Sequence, residues 1–222
     1  MAEIWLGDSN GPMGDVGAFM DSELRVDRAD LPGHIRQIEG DRELIALTGA
    51  PALGKSHLAE ELAATLGSAA VVPMDGFHRS NDWLDAQGLR ARKGAPETFD
   101  IEGLTAALQA LRAGNQDLAL PGFDRAADRV VPGAVAVPAR ARVVLIEGNY
   151  LLLTRPGWRD LAPLFDLTIR IATPEARLRA RLAARWADLP AAEANARIEG
   201  NDLPNARLIR AESRAADLVI RD

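Results

Sequence analysis

From residue 43 onward, short apolar runs alternate with segments whose leucines recur every three or four positions. Such runs, bounded by glycine, proline or polar residues, are typical of buried strands, and the leucine spacing is typical of helices with one buried face. The predicted strands are ELIALTG (43–49), AAVVPM (69–74), ARVVLIEG (141–148), FDLTIRIAT (165–173) and ADLVI (216–220). Strands that alternate with helices predict an α/β fold with a doubly wound parallel sheet of about five strands.

The segments between these strands complete the predicted fold. Leucines mark a helix that Gly67 closes and another over residues 101–113, and a third helix begins near Pro174. Residues 118–124 and 129–137 predict a small hairpin. Residues 1–42 are rich in Gly, Pro and Asp without a sustained period, so we expect an N-terminal extension with one short helix near 22–30, followed by a single domain over 43–222.

The loop after the first predicted strand carries a phosphate-binding pattern. GAPALGKS matches G-x-x-x-x-G-K-[ST], and it lies between a predicted strand and a predicted helix. In such a loop backbone N–H groups surround a phosphate chain, the lysine reaches the β and γ phosphates, and the hydroxyl binds Mg²⁺. The alternative is a glycine turn with an incidental GKS. The predicted ATP-binding residues are Gly49, Ala50, Pro51, Ala52, Leu53, Gly54, Lys55, Ser56 and His57 of the following helix turn.

Two carboxylates follow predicted strands at the edge of the sheet where this loop lies. Glu147 ends the most apolar strand, where it can help to hold Mg²⁺, unless it is an ordinary solvated glutamate. Asp75 follows the second strand, where phosphoryl transfer needs a group to orient the acceptor hydroxyl and take its proton. The alternative for Asp75 is a loop or N-cap aspartate.

An arginine stripe marks the late helix. Arg177, Arg181 and Arg185 recur every four residues, opposite Leu178 and Leu182. A solvated arginine face is one explanation. The other is a helical lid whose arginines fold over the triphosphate and stabilise the charge on the transferring phosphoryl group.

Composition excludes several classes of protein. The chain has 222 residues, a net charge of −6, 47% hydrophobic residues and no cysteine, which excludes disulfides and thiolate catalysis. It has no basic tract for nucleic acid, no apolar run near the ~18 residues that span a membrane, and no signal-like start, so we expect a cytoplasmic protein. Lysine occurs only as Lys55 and Lys93. Lys93 either survives by chance or is needed as a point charge.

The order of three motifs identifies a family resemblance. The block DGFH (75–78) to RKGAPETFD (92–100), with GAPALGKS before it and LIEGNYLLL after it, resembles the phosphoribulokinase and uridine kinase family. Within that family it is similar to bacterial pantothenate kinases, and still more to short uridine kinase-like proteins named as fructose transport system kinases. The resemblance covers about residues 43–221.

The resemblance implies roles for residues at matching positions. Asp75 would be the base and lie near Mg²⁺, Lys55 and Ser56 would act from the phosphate loop, Glu147 would be the second acid, and Arg177 or Arg181 would act from the lid. Asn205, with Asn201, would border the nucleotide base. The implied acceptor contacts are His78, Arg92, Lys93, Phe99, Asp124, Arg125 and Asp128.

The function implied is transfer of the ATP γ-phosphoryl group, with Mg²⁺, to a hydroxyl of a sugar, nucleoside or pantothenate-like acceptor. The acceptor segment departs from the family, because uridine kinases have aromatic and histidine residues where this chain has Asp124, Arg125 and Asp128. These polar residues favour a hydroxyl-rich or anionic acceptor over a flat base. A P-loop ATPase or a regulatory module without transfer activity are the alternatives. No nucleic-acid or membrane partner is expected, and a homodimer is compatible with the sequence.

Overall fold

The computed structural model describes residues 23–114 and 116–221, and it contains one central sheet and one hairpin. The strands are β1 (Leu24–Arg25), β2 (Glu43–Gly49), β3 (Ala69–Pro73), β4 (Leu118–Asp124), β5 (Arg129–Val137), β6 (Val143–Gly148), β7 (Leu167–Ala172) and β8 (Leu218–Arg221). The sheet has the order β1-β8-β7-β2-β6-β3, and all neighbours are parallel. The predicted α/β class and parallel sheet are confirmed. The sixth strand is the two-residue β1, too short to give a pattern in the sequence.

Helices and helical turns connect the strands. The α-helices in the described residues are α1 (Leu31–Arg36), α2 (Lys55–Leu66), α3 (Asn81–Ala86), α4 (Ile101–Ala113), α5 (Glu175–Arg185), α6 (Ala191–Arg197) and α7 (Leu203–Glu212). A π-helix over Ile198–Asp202 joins α6 to α7. Short 3-10 turns follow several elements, and the turn Met74–Phe77 directly after β3 belongs to the site described below. In the described residues, no helix has both the length and the apolarity needed to cross a bilayer.

The sheet is covered on both faces because its side chains alternate. On β2, Leu44 and Ala46 face a core that contains α4, whereas Ile45 and Leu47 face a core that contains α1, α2 and α5. Every residue of β2 is buried, as expected of a central strand in a parallel sheet. This arrangement confirms the doubly wound organisation.

Part of the predicted N-terminal extension packs against this fold. Residues 1–22 lie outside the described residues, but β1 pairs with β8, and Leu31 and Ile35 of α1 are fully buried. The helix expected near 22–30 begins later, at Leu31, with Pro32 in its first turn, where proline needs no hydrogen-bond partner for its nitrogen. The boundary between residues 42 and 43 remains a prediction.

The predicted hairpin is present, and it packs against the turn that follows β3. Strands β4 and β5 are antiparallel, with Asp124 opposite Arg129. A Cβ atom on Gly76 would lie 2.0 Å from the backbone oxygen of Pro121 in β4, so only glycine permits this approach. The hairpin therefore carries its tip to the carboxyl ends of the central strands.

Candidate functional site

The ends of three central strands meet at one cavity. Glu147 on β6 lies beside Leu47 on β2 and Pro73 on β3, so these strands end at the same level of the sheet. The phosphate loop follows β2, and Asp75 follows β3. The cavity above them has a volume of about 1130 Å³ and is bounded by the phosphate loop, the hairpin and the helices α5 to α7. Ligands of open parallel sheets bind at this edge.

Lys55 lies at the base of the cavity, in the first turn of α2. The preceding Gly54 has φ +74°, a left-handed conformation that glycine adopts without strain, and it turns the chain into the helix. The Lys55 ammonium donates a hydrogen bond to the Ala50 backbone oxygen at 3.0 Å. Burial lowers the pKa of Lys55 to about 8, against the opposing attraction of the Glu147 and Asp75 carboxylates. A buried ammonium at a helix N-terminus is suited to binding an anion.

The phosphate loop contains a strained alanine, which gives a testable prediction. Ala52 has φ +62°, and a left-handed backbone costs a residue with a Cβ atom about 1–2 kcal/mol. We expect Ala52→Gly to raise the free energy of unfolding by up to about 1 kcal/mol, because the freedom of glycine in the unfolded chain offsets part of the relief. Urea unfolding measures the change. Ala64→Gly on the exposed face of α2 is the control and should destabilise by about 1 kcal/mol. Equal destabilisation by both variants would contradict strain at Ala52.

A hydroxyl and a carboxylate face each other beside the lysine. The Ser56 hydroxyl donates to Glu147 Oε1 at 2.8 Å. Burial raises the pKa of Glu147, and Lys55 and Ser56 act in the opposite direction. Serine and carboxylate oxygens are hard ligands of the kind that Mg²⁺ prefers. In the described part of the chain, no group of three or more His, Cys, Asp or Glu residues could hold a metal ion.

Asp75 lies in the 3-10 turn after β3 and contacts the hairpin. Arg125, between β4 and β5, donates from its guanidinium to Asp75 Oδ2 at 2.6 Å. The Asp75 side chain is 25% exposed and that of Arg125 is 64% exposed. The carboxylate therefore faces the cavity with one oxygen occupied by Arg125.

An aromatic wall continues from Asp75. The His78 ring lies 4.1 Å from the Phe99 ring and 4.8 Å from the Phe123 ring, between centroids. His78 Nδ1 lies 2.9 Å from the Asp75 backbone oxygen. Burial lowers the pKa of His78, which favours the neutral imidazole. This wall offers the cavity an apolar surface with one polar edge.

Lys93 joins the hairpin to the segment after α3. Its ammonium donates to Asn81 Oδ1 at 2.7 Å, to Asp128 Oδ1 at 2.6 Å and to the Asp128 backbone oxygen at 3.1 Å. An ammonium has three N–H donors, so these contacts use all of them. The Lys93 side chain is only 15% exposed. In this structure Lys93 therefore holds the hairpin tip in place, although it lines the cavity.

The arginine-bearing helix α5 closes the opposite side. Leu178 and Leu182 are buried, as their spacing predicted. Arg181 and Arg185 line the cavity, whereas Arg177 is exposed and lies outside its lining. Trp186 ends the helix, and its Nε1–H donates to Asp202 Oδ2 at 2.7 Å.

The structure brings most of the predicted site residues together at the cavity. Those that line it are Pro51, Ala52, Gly54, Lys55, Ser56, His57, Asp75, His78, Lys93, Phe99, Arg125, Asp128, Glu147, Arg181, Arg185, Asn201 and Asn205. Three other predicted residues of the phosphate loop do not line the cavity, namely Gly49, Ala50 and Leu53. Arg92 and Asp124 lie outside the lining, because Arg92 pairs with Glu97, and Asp124 accepts the backbone N–H groups of the hairpin turn.

Some cavity residues were missing from the sequence prediction. Asn149 follows Glu147 by two positions and could have been found from its place beyond a strand end. Trp186 and Arg197 come together at the cavity, with the Arg197 guanidinium 4.7 Å from the Trp186 ring centroid. Their approach depends on how α5 and α6 fold back over the sheet, so no local pattern in the sequence indicates it.

The chain is similar in sequence to known proteins. No protein-family model matches the chain. It is 39% identical over 187 residues to "Uncharacterized protein YggC" of Escherichia coli, covering 81% of this chain and 77% of that protein. It is 34% identical over 195 residues to "Putative uridine kinase C227.14" of Schizosaccharomyces pombe, covering 81% and 83%.

A solved structure matches the fold over nearly its whole length. The crystal structure of a "putative fructose transport system kinase" from Silicibacter sp. TM1040 is 46% identical in sequence. It superposes with a TM-score of 0.82 over 87% of this chain and 98% of that chain.

Proposed function

We propose that this chain, which belongs to the phosphoribulokinase and uridine kinase family of P-loop kinases, uses Asp75 as the base in phosphoryl transfer. Membership of the family makes it an ATP-dependent phosphotransferase that acts on a hydroxyl group of a small molecule. The observation that carries the proposal is that the phosphate loop, Asp75 and Glu147 face one cavity at the carboxyl ends of adjacent strands.

The phosphate loop and Glu147 form the nucleotide side of the proposed site. Backbone N–H groups of the phosphate loop, with the exception of Pro51, which has none, bind the phosphates of ATP, and Lys55 binds their outermost oxygens. Ser56 and Glu147, with Asp75 nearby, would hold Mg²⁺, which would supply positive charge beside the phosphates. The hydrogen bond between Ser56 and Glu147 supports this assignment, because it already brings two hard oxygen ligands together.

Asp75 and the hairpin form the acceptor side. Asp75 orients the acceptor hydroxyl and takes its proton as the hydroxyl oxygen attacks the γ-phosphorus. His78, Phe99 and Phe123 shape the wall against which the carbon skeleton of the acceptor lies. Arg181 and Arg185 offset the negative charge on the transferring group from the lid side.

An assay that separates transfer from hydrolysis tests this function. We expect ATP to be consumed faster when hydroxyl compounds are present, with one phosphorylated product for each ADP formed. Sugars, sugar acids, nucleosides and pantothenate make up the panel. ATP consumption without any phosphorylated product would favour a P-loop ATPase, and nucleotide binding without turnover would favour a regulatory module.

Nucleotide binding should also change the dynamics of the lid. We expect hydrogen exchange in α5 to slow when a non-hydrolysable ATP analogue and Mg²⁺ are added, because Arg181 and Arg185 then gain phosphate contacts across the cavity. Exchange in α4, which packs away from the cavity, is the internal control and should not change. Unchanged exchange in α5 with bound nucleotide would favour a solvated arginine face.

A further inference from the structure

The pairing of Arg125 with Asp75 constrains the chemistry of the acceptor. The Arg125 guanidinium donates a hydrogen bond to Asp75 Oδ2, one of the two carboxylate oxygens, at 2.6 Å. Asp75 Oδ1, which this contact does not use, is the oxygen better placed to take a proton from an acceptor. The hydroxyl that reacts must therefore bind within a few ångströms of the Arg125 guanidinium, on the hairpin side of the cavity.

The position of Arg125 is fixed by the hairpin, not by the ion pair alone. Lys93 and Asn81 hold Asp128 at the end of the same turn, through hydrogen bonds of 2.6 and 3.1 Å to its carboxylate. At the other end, Pro121 packs against Gly76, one residue after Asp75. Both ends of the turn that carries Arg125 are held beside Asp75, so the backbone of Arg125 has a fixed position next to the proposed base.

Arg125 has unused binding capacity that faces the cavity. A guanidinium carries five N–H donors, and one of them is directed to Asp75. The side chain is 64% exposed and lines the cavity. The planar fork of arginine matches the paired oxygens of a carboxylate or phosphate, and contacts of this kind are stronger than those to neutral groups.

The charge of the cavity also favours an anion beyond the nucleotide. Among the described residues that line it, histidines apart, seven side chains are cationic and four are anionic. Lys93 is neutralised by Asp128, and its donors are all used. Lys55 belongs to the nucleotide side, so Arg125 is the cation on the hairpin side that contacts Asp75 and has donors to spare. An acceptor without charge would offer those donors only neutral oxygens or water, which a guanidinium binds less strongly than a carboxylate or phosphate.

We propose that the acceptor is an anionic hydroxyl compound whose carboxylate or phosphate group is bound by Arg125 while its hydroxyl is presented to Asp75; the inference rests on the proposed kinase function. Arg125 then lies between two anions and screens the acceptor from the Asp75 carboxylate. The hydroxyl O–H bond breaks and its proton moves to Asp75. A new O–P bond forms to the γ-phosphorus, the bond from the γ-phosphorus to the β–γ bridging oxygen breaks, and ADP leaves.

Matched acceptors that differ only in charge test the inference. The first trio is glycerol, glycerate and glycerol 3-phosphate, and the second is glucose, gluconate and glucose 6-phosphate. We expect wild-type kcat/KM to be about 10- to 100-fold higher for a charged member than for its neutral partner, the effect of a charge-assisted hydrogen bond. Comparing the carboxylate with the phosphate member shows which anion fits.

Arg125→Gln is the test variant, and Arg129→Gln is its matched control. Arg129 is an exposed arginine of the same hairpin that does not line the cavity. Arg125→Gln should raise KM for the charged members about 10- to 100-fold and erase the preference, while Arg129→Gln should keep it. Calorimetric titration with glycerate and glycerol 3-phosphate, with an ATP analogue and Mg²⁺ present, should show the same loss of binding.

The outcomes separate this inference from the kinase function. Transfer to glycerol or glucose as efficient as to their charged partners, or equal losses for both in Arg125→Gln, would overturn the inference and leave the kinase function standing. Anion binding that is equally strong in wild type and Arg125→Gln in both assays would also overturn the inference. So would a complete absence of anion binding in both assays. Arg125-dependent anion binding without ATP-dependent transfer to any hydroxyl compound would instead contradict the proposed function.

Discussion

Lys55→Ala is expected to lower ATP-dependent phosphoryl transfer by roughly 10³-fold or more, the scale of losing a cationic group that stabilises the transferring phosphoryl. Lys55 is one of two lysines in the chain, and its ammonium lies at the base of the cavity beside Glu147. Within the first turn of α2 the only other basic residue is His57, whose side chain is mostly exposed, so no second cation of this turn can take its place. The loss should appear in kcat.

The fold should survive this substitution. The hydrogen bond of the Lys55 side chain goes to a backbone oxygen of its own loop. When Lys55 is removed, the neighbouring Glu147 carboxylate keeps its hydrogen bond from Ser56. Circular dichroism and urea unfolding check that Lys55→Ala is folded. Glu60→Ala, on the exposed face of the same helix, should keep wild-type transfer. Near wild-type turnover in Lys55→Ala would show that the phosphate loop is not the nucleotide site.

The sequence predicted the elements whose patterns are local. An apolar run predicted β2, the glycine-containing motif predicted the loop, and the leucine spacing predicted α2. The strand and the helix lie where they were predicted, with the loop between them. Strand β1 has only two residues, and α1 six, so neither is long enough to show a period. Their positions depend on pairing with β8 and on burial of Leu31 and Ile35, which are contacts between distant parts of the chain.

The same limit applies to the site. Asp75 and Glu147 could be predicted because a strand end fixes where each carboxylate lies. The sequence could not show that Lys93 directs all its donors to Asn81 and Asp128, since that contact joins residues 35 positions apart. Nor could it show that Arg125 folds back onto Asp75, because this depends on how closely β4 approaches Gly76.

Asp75→Asn is expected to separate nucleotide binding from chemistry. The amide keeps the size of the carboxylate and can still accept a hydrogen bond from Arg125, but it cannot take the proton of the acceptor hydroxyl. Removing a general base costs ~10²–10⁴ in rate, so kcat should fall by that factor. Binding of ATP should change less, because Lys55, Ser56 and Glu147 remain in place.

Two further variants exclude other causes of the loss. Asp82→Asn, an exposed aspartate of α3 outside the cavity lining, should transfer phosphate at the wild-type rate. Arg125→Gln removes the ion pair but keeps the Asp75 carboxylate, so with a neutral acceptor its loss of kcat should be smaller than that of Asp75→Asn. An equal loss would assign the effect to the ion pair and not to the base.

The measurement that tests Asp75 as the base most directly is single-turnover phosphoryl transfer in Asp75→Asn, run beside an ATP-binding titration of the same preparation. The predicted result is ATP affinity within about tenfold of wild type together with a transfer rate that is lower by ~10²–10⁴. Transfer at the wild-type rate would contradict the assignment of Asp75, and Glu147 would then be the carboxylate to test.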